Sequence, residues 1–187
     1  MVLAYHLIWT VYGWWLPNDP RGSSSREIRV ERIRHLGDLH PGRKPVQPTP
    51  GELRDFHDEA RDLLAHDVLL LSDEEIGIVA SAFGKVISEE KYPCLACAIM
   101  PEHVHLVIAR HRDRAEIMIE KFQDASKEEL KKQKRRGVLH PVWGGPGWKV
   151  FLNTAGQMAD AVEYVEENPE KSGRPRQNWR FVQRLPI

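Results

Sequence analysis

Two histidines separated by one valine are the residues of this chain with the clearest potential for chemistry. His103 and His105 lie in the run Met100-Pro101-Glu102-His103-Val104-His105-Leu106-Val107-Ile108. Side chains of a strand alternate between its two faces, so both imidazoles point the same way, about 7 Å apart along the strand. Two imidazoles that share one volume are typical of a metal site. The alternative is that both histidines lie on the solvent-exposed face of a hairpin at the edge of a sheet. This alternative stays open because two histidines alone make a weak metal site.

A tyrosine and an asparagine form the second candidate pair. Apolar residues recur at helical spacing from residue 155 to residue 165, which predicts an amphipathic helix. Tyr164 and Asn168 are four residues apart in this helix, so they share one of its faces. Pro169 predicts that the helix ends at Asn168, because the residue before a proline avoids the α region. The helix therefore projects a phenol and an amide together.

Both pairs lie in segments that resemble a known family, the single-tyrosine transposases of the HUH class. The family name describes two histidines around a bulky apolar residue, as in His103-Val104-His105. The segment Tyr164-Val165-Glu166-Glu167-Asn168-Pro169-Glu170-Lys171-Ser172-Gly173 resembles the family's Tyr-x-x-x-Asn-Pro-x-x-x-Gly segment. Residues 10–22 and 148–152 are also similar to blocks of REP-associated tyrosine transposases and their insertion-sequence relatives. The resemblance covers most of the chain.

The resemblance implies an α+β protein with a ferredoxin-like antiparallel sheet and helices packed on one face. It implies that His103, His105 and Asn168 hold Mg²⁺ or Mn²⁺ and that Tyr164 is the nucleophile. The implied enzyme is a transposase that nicks and rejoins DNA through a covalent 5′-phosphotyrosine link. Its implied partner is single-stranded DNA with a hairpin, and the family includes both monomers and homodimers.

The residue types suit this chemistry independently of the resemblance. A divalent ion on a nonbridging oxygen neutralises the charge that protects a phosphodiester from attack. A tyrosine with an ordinary pKa near 10 needs help from a metal or a nearby acceptor to attack at neutral pH. Two other functions stay open. One is a domesticated hairpin-binding protein without strand transfer, and the other is a metal-dependent phosphodiesterase in which Tyr164 is only a core residue.

Composition predicts one globular domain over residues 1–187 with a long loop at 23–51, and the resemblance implies that this loop is an insertion. The chain has 187 residues, of which 41% are hydrophobic and 29% are charged. It has no apolar run of about 18 residues, so no membrane association is expected. Its first residues lack the features of a signal peptide, so a cytoplasmic, nucleoid-associated location is expected. Cys94 and Cys97 have no second cysteine pair to complete a zinc site and are interpreted as small core residues.

The net charge of zero conceals local basic patches. Residues 52–90 carry eleven acidic and three basic side chains, whereas residues 171–187 carry five basic and no acidic ones. Residues 127–136 hold six basic and two acidic side chains. Local patches of this kind contact phosphates, although a solvated helix face is an equal alternative for 127–136. The candidates for DNA phosphate contact are Arg21, Lys149, Lys171, Arg174 and Arg176, and Lys171 is the strongest because it lies one turn beyond Asn168.

Strands and helices alternate along the chain, which favours an antiparallel sheet covered by helices. Strands are predicted at 3–12, 68–71 and 148–152, and a hairpin is predicted around the two histidines. Helices are predicted at 52–66, 73–91 and 114–135, and from residue 155. Ser72 and Glu75 form a capping box that opens the second of these helices.

Overall fold

A computed structural model describes residues 1–23, 25–133 and 140–183. Its main sheet is antiparallel and comprises β1 (Ala4–Thr10), β4 (Cys94–Ile99), β5 (His103–Ala109) and β6 (Trp148–Leu152). Its helices are α1 (Pro50–Arg61), α2 (Asp73–Glu90), α3 (Ala115–Lys132) and α4 (Ala155–Lys171). The predicted insertion carries a 3-10 helix (Glu31–Leu36) and a small sheet of β2 (Gly22–Ser23) and β3 (Gly42–Arg43).

The strand order of the main sheet is β4-β5-β1-β6. With the chain order β1-α2-β4-β5-α3-β6, this is the ferredoxin-like arrangement. The antiparallel α+β fold predicted from the sequence is therefore confirmed.

Helices cover both faces of the sheet. The prediction that the helices pack on one face is wrong, because α4 packs on the face opposite to α2 and α3. On one face, Phe83 of α2 and Phe122 of α3 pack in the same core cluster as Trp9 of β1. On the other face, Ala161 and Val165 of α4 pack in a separate apolar cluster with residues of β4 and β5. The difference arises because the sheet has apolar side chains on both faces, and the second set needs a cover of its own.

The register between β1 and β5 decides which side chains meet each layer of helices. Leu7 lies opposite Leu106 and Trp9 opposite Val104, and all four are buried against α2 and α3. Cross-strand partners share a face, so the alternate residues of both strands face α4. His6 is one of these alternate residues.

Local boundaries agree with the sequence at the capping box but differ elsewhere, and the helix predicted at 52–66 ends at Arg61. Glu75 N–H donates to Ser72 Oγ at 3.3 Å, and Ser72 N–H donates to the Glu75 carboxylate at 2.9 Å, as predicted. Helix α4 continues through Pro169 to Lys171, so its predicted end at Asn168 is wrong. A proline in the last turn removes only one helical hydrogen bond, and the turn closes with Ser172 N–H donating to the Pro169 carbonyl at 3.0 Å.

The strand predicted at 68–71 is wrong, because this segment belongs to no strand of the described chain. Leu69 and Leu71 are buried, which accounts for the apolar pattern. Their N–H groups donate to the carbonyls of Tyr12 and Pro101, so the segment is tied to loops at the end of the sheet. Residues 134–136 of the basic run and Arg184 lie outside the described residues. No described helix combines the length and apolar character needed to cross a membrane.

The α4 face of the sheet buries two imidazoles. His6 and His105 are 8% and 6% exposed. Burial lowers the pKa of His6 to about 4. Burial, with the nearby charges of His103 and His6, lowers the pKa of His105 well below its usual range. Both rings are therefore neutral in the folded chain at neutral pH.

These two histidines predict a loss of stability in mild acid. Below about pH 6.5 the unfolded imidazoles bind protons that the folded ones do not, so stability falls as the pH drops towards 4. For His6 alone, we expect the free energy of unfolding to fall by about 2 kcal/mol between pH 7 and pH 5. Urea unfolding at both pH values measures this change.

The His6→Phe variant should lose less stability than the wild type over the same interval. The control is His35→Gln, which removes an exposed histidine of the 3-10 helix instead of a buried one. An unchanged pH dependence in His6→Phe would contradict the assignment of a neutral, buried His6.

Candidate active site

Strand β5 positions the two histidines of the motif beneath α4. It lies between β4 and β1, so the pair does not belong to an edge strand, and the alternative of an edge hairpin is excluded. The ring centroids of His103 and His105 are 4.7 Å apart, with nearly perpendicular planes. His105 is buried, whereas the side chain of His103 is 20% exposed. The pair therefore lies at the boundary between the α4 core and solvent.

Helix α4 brings Tyr164 and Asn168 to the same place. Val165 is fully buried under the helix, which fixes its rotation on the sheet. Asn168 is 8% exposed, and its Oδ1 lies 3.2 Å from His103 Nε2. The Tyr164 ring is edge-on to His105, with centroids 5.5 Å apart, and is 45% exposed. The spacing of four thus places an amide against one histidine and an accessible phenol against the other.

A third histidine, which was not among the predicted site residues, joins the cluster. His6 Nε2 lies 2.9 Å from His105 Nδ1, and the His6 ring centroid is 6.1 Å from that of Tyr164. The signal in the sequence was the alternation of β1, which puts His6 on the face opposite Leu7 and Trp9. Its partner could not be predicted, because the contact depends on the pairing of strands 99 residues apart.

Two charged groups flank the cluster. The Glu102 carboxylate lies 3.3 Å from His103 Nδ1, and the hydrogen bond to His103 lowers the pKa of Glu102. The Lys171 ammonium lies 5.2 Å from the centre of the Tyr164 ring. Its hydrogen bond to Glu167, with an N–O distance of 2.8 Å, raises the pKa of Lys171. Lys171 therefore lies beside the Tyr164 ring as one half of an ion pair with Glu167.

The side chains of this cluster could hold a divalent cation only if the amide oxygen of Asn168 is one of the ligands. Within the described chain, no three His, Cys, Asp or Glu side chains form a group that could hold a metal ion. His103 and His105 supply two nitrogens, and Asn168 Oδ1 supplies an oxygen beside them. Both ring nitrogens of His103 face oxygen atoms, so a neutral ring can donate to only one of them. A cation between the ring and the amide oxygen would satisfy the second contact.

Three of the five predicted phosphate-contacting residues lie at or just after the end of α4. Lys171 is beside Tyr164. Arg174 pairs with Asp73, and its charge contributes to the lowered pKa of Glu102. Arg176 pairs with Glu166 of α4.

The structure places the other two predicted residues elsewhere. Lys149 lies opposite Leu7 in the sheet, on the α2 and α3 face, and pairs with Glu116 of α3. Arg21 pairs with the fully buried Asp19 at 2.7 Å and stacks on the Trp15 ring at 3.8 Å. Each has a structural partner, and Lys149 is separated from the histidines by the sheet.

Comparison with known proteins gives two structural similarities. No family model and no curated protein matches the chain. The structure is similar to a REP-associated tyrosine transposase bound to a REP hairpin, with a TM-score of 0.48 and 12% identity, over 91% of this chain and 68% of that one. It is also similar to a candidate transposase from Deinococcus radiodurans R1, with a TM-score of 0.41 and 15% identity, over 89% of this chain and 91% of that one. Both scores are modest, so the chemistry of this chain follows from its own site residues.

Proposed function

We propose that this chain is a metal-dependent DNA strand transferase that cuts single-stranded DNA beside a hairpin, with Tyr164 as nucleophile. One observation carries the proposal. An accessible tyrosine and a buried asparagine on the same face of α4 meet two histidines that share one face of β5. Hydrolysis or simple binding does not require a phenol at this position.

Tyr164 has the exposure that a nucleophile needs. Its ring contacts the two buried histidines on one side and is open to solvent on the other. A phenol attacks well only as it loses its proton, and a nearby positive charge stabilises the phenolate that forms. The Lys171 ammonium lies 5.2 Å from the ring centre and pairs with Glu167, and we propose that it contacts the phosphate that the phenol attacks.

His103, His105 and Asn168 would hold the divalent cation. Two imidazoles and one amide oxygen suit Mn²⁺ better than Mg²⁺, because Mg²⁺ prefers oxygen ligands alone. When bound, the ion would neutralise charge on the scissile phosphate and orient it. His105 and Asn168 are both buried, which would limit the access of water to the cation.

The proposed reaction exchanges one phosphodiester for another. The Tyr164 hydroxyl oxygen gives up its proton to solvent as it bonds to phosphorus, the bond from phosphorus to the 3′-oxygen breaks, and the departing 3′-oxygen takes up a proton from solvent. The product is a 5′-phosphotyrosine link and a free 3′-hydroxyl. Because the link retains the energy of the broken bond, attack by another 3′-hydroxyl rejoins DNA without ATP. The scissile phosphate must be unpaired to reach the tyrosine, which favours a single-stranded substrate.

The alternatives make different demands on the same residues. In a phosphodiesterase with a structural Tyr164, the ring would be expected in the core, whereas it is 45% exposed. A hairpin-binding protein without strand transfer would not need the four motif residues to converge. Tyr164 meets the histidines of its own chain, so a homodimer is not needed to complete this site.

Replacing Tyr164 by Phe should abolish covalent capture of DNA, because the ring remains but the attacking oxygen is lost. Labelled hairpin oligonucleotides with single-stranded flanks, incubated with Mn²⁺ and resolved on a denaturing gel, measure the adduct. We expect a loss of at least about a hundredfold relative to the wild type. The matched control is Tyr5→Phe, which changes a tyrosine that packs against Phe151 and should leave the adduct intact.

Either of two results would contradict the proposal that Tyr164 is the nucleophile. Tyr164→Phe could still form an adduct that survives denaturation, or it could still cut DNA without forming a link. The second result would favour the phosphodiesterase.

Replacing Asn168 by Leu should weaken Mn²⁺ binding, because the oxygen donor is lost while the shape is nearly kept. Asn168→Asp should bind Mn²⁺ at least as tightly as the wild type, since it supplies a charged oxygen at the same place. Titration of free Mn²⁺ by electron paramagnetic resonance measures both affinities without DNA. The exposed Asn178 provides the control, and Asn178→Leu should not differ from the wild type. Equal Mn²⁺ affinity in Asn168→Leu and the wild type would show that Asn168 is not a metal ligand.

A further inference from the structure

Both histidines of the motif have a polar partner at Nδ1, the ring nitrogen next to the side-chain stem. The partner of His103 is the Glu102 carboxylate at 3.3 Å, and the partner of His105 is His6 Nε2 at 2.9 Å. The other nitrogen of His103, Nε2, faces Asn168. In the described part of the chain, His105 Nε2 has no hydrogen-bond partner. The two rings are thus held in the same way, by Nδ1, although their partners differ.

The partner of Nδ1 matters because a neutral imidazole carries one proton on two nitrogens. The nitrogen without the proton has the lone pair that a cation requires. If His105 Nδ1–H donates to His6, then His105 Nε2 has the lone pair. If His6 instead donates to His105, then the proton of His105 is on Nε2 and this nitrogen cannot bind a cation. The direction of one hydrogen bond therefore decides whether His105 is a ligand.

We propose that His6 is a positioning residue that accepts the Nδ1–H of His105 and so leaves His105 Nε2 free to bind the divalent cation. His6 is too buried for water to replace it readily as the acceptor, since both rings are less than 9% exposed. A buried ring without its acceptor would have an unsatisfied N–H or would adopt the other tautomer. Partners of this kind commonly fix the tautomer and orientation of histidine ligands.

His6 and Glu102 then have matching roles towards the two histidines. Glu102 is a carboxylate at the partly exposed histidine, and His6 is a neutral acceptor at the buried one. A neutral imidazole supplies the acceptor without adding a buried charge to the metal-free protein, where an unpaired buried charge is costly.

The tautomer can be read directly in the full-length protein without metal or DNA. Long-range ¹H–¹⁵N correlation spectra distinguish protonated from unprotonated ring nitrogens, and a His105→Gln spectrum assigns the signals of His105. The proposal predicts a protonated Nδ1 and an unprotonated Nε2 for His105. The reverse pattern in the wild-type protein would overturn it. This measurement needs no His6 variant, so it stands even if such variants fold poorly.

Two substitutions of His6 test the consequence for the metal. His6→Phe keeps a ring but removes the acceptor, and we expect Mn²⁺ binding about 10- to 100-fold weaker. His6→Gln restores an acceptor at a reach similar to Nε2, and its affinity should return to within about threefold of the wild type. His35→Phe, at an exposed site, should leave the affinity unchanged. Equal Mn²⁺ affinity in His6→Phe and the wild type would contradict the positioning role.

Electron spin echo spectra of bound Mn²⁺ distinguish a positioning residue from a third ligand. We expect two coordinated imidazole nitrogens in the wild type and the same two in His6→Gln. Three in the wild type and two in His6→Gln would make His6 a ligand and overturn the proposal. The role of the cation in cutting rests on the proposed function. The tautomer and the affinities do not require cutting, so a failure of strand transfer alone would leave these results standing.

Discussion

The antiparallel pairing of β1 with β5 is the constraint on which the rest of the structure depends. It places Ile8 opposite His105 and His6 opposite Val107, which brings the two imidazoles within hydrogen-bonding distance on one face. It also turns Leu7 and Trp9 towards α2 and α3. A shift of one residue would exchange the faces of a whole strand, burying histidines in the main core and exposing leucine and tryptophan to α4. The same register therefore specifies both the core and the candidate site.

The two faces of the sheet differ in polarity. The face towards α2 and α3 is apolar and supplies the larger part of the hydrophobic core. The face towards α4 is apolar only in part, where Ala161 and Val165 pack, and becomes polar towards Tyr164 and Asn168. Removing water from the imidazoles lowers their proton affinity and keeps the His105 ring neutral, which a metal ligand requires. The stability lost in acid and the proposed capacity to bind a cation thus have one origin.

Much of this arrangement could be predicted from the sequence, because local patterns determine it. Alternation predicts β1 and β5, the capping box predicts the start of α2, and a spacing of four puts Tyr164 and Asn168 on one face of α4. The hydrogen bond between His6 and His105 could not be predicted, since it depends on tertiary register.

Other predictions failed for identifiable physical reasons. The segment 68–71 has the apolar pattern of a strand but bonds to loops instead. Helix α4 passes Pro169 because the proline removes one helical hydrogen bond, and the N–H groups of Ser172 and Arg174 then close the last turn on the Pro169 carbonyl. The packing of α4 on the second face follows from the three-dimensional distribution of apolar side chains on the sheet, which no single segment encodes. Basic residues were hardest to interpret, as Lys149 shows by pairing with α3 on the far face.

The proposed function requires DNA to become covalently linked to Tyr164. Digestion of the covalent complex with trypsin and nuclease, followed by tandem mass spectrometry, locates the residue that carries the nucleotide. The tryptic peptide 150–171 contains a single tyrosine. We expect this peptide to carry a nucleotide joined through its 5′-phosphate to Tyr164. A nucleotide on any other residue, or a 3′-phosphate linkage, would contradict it.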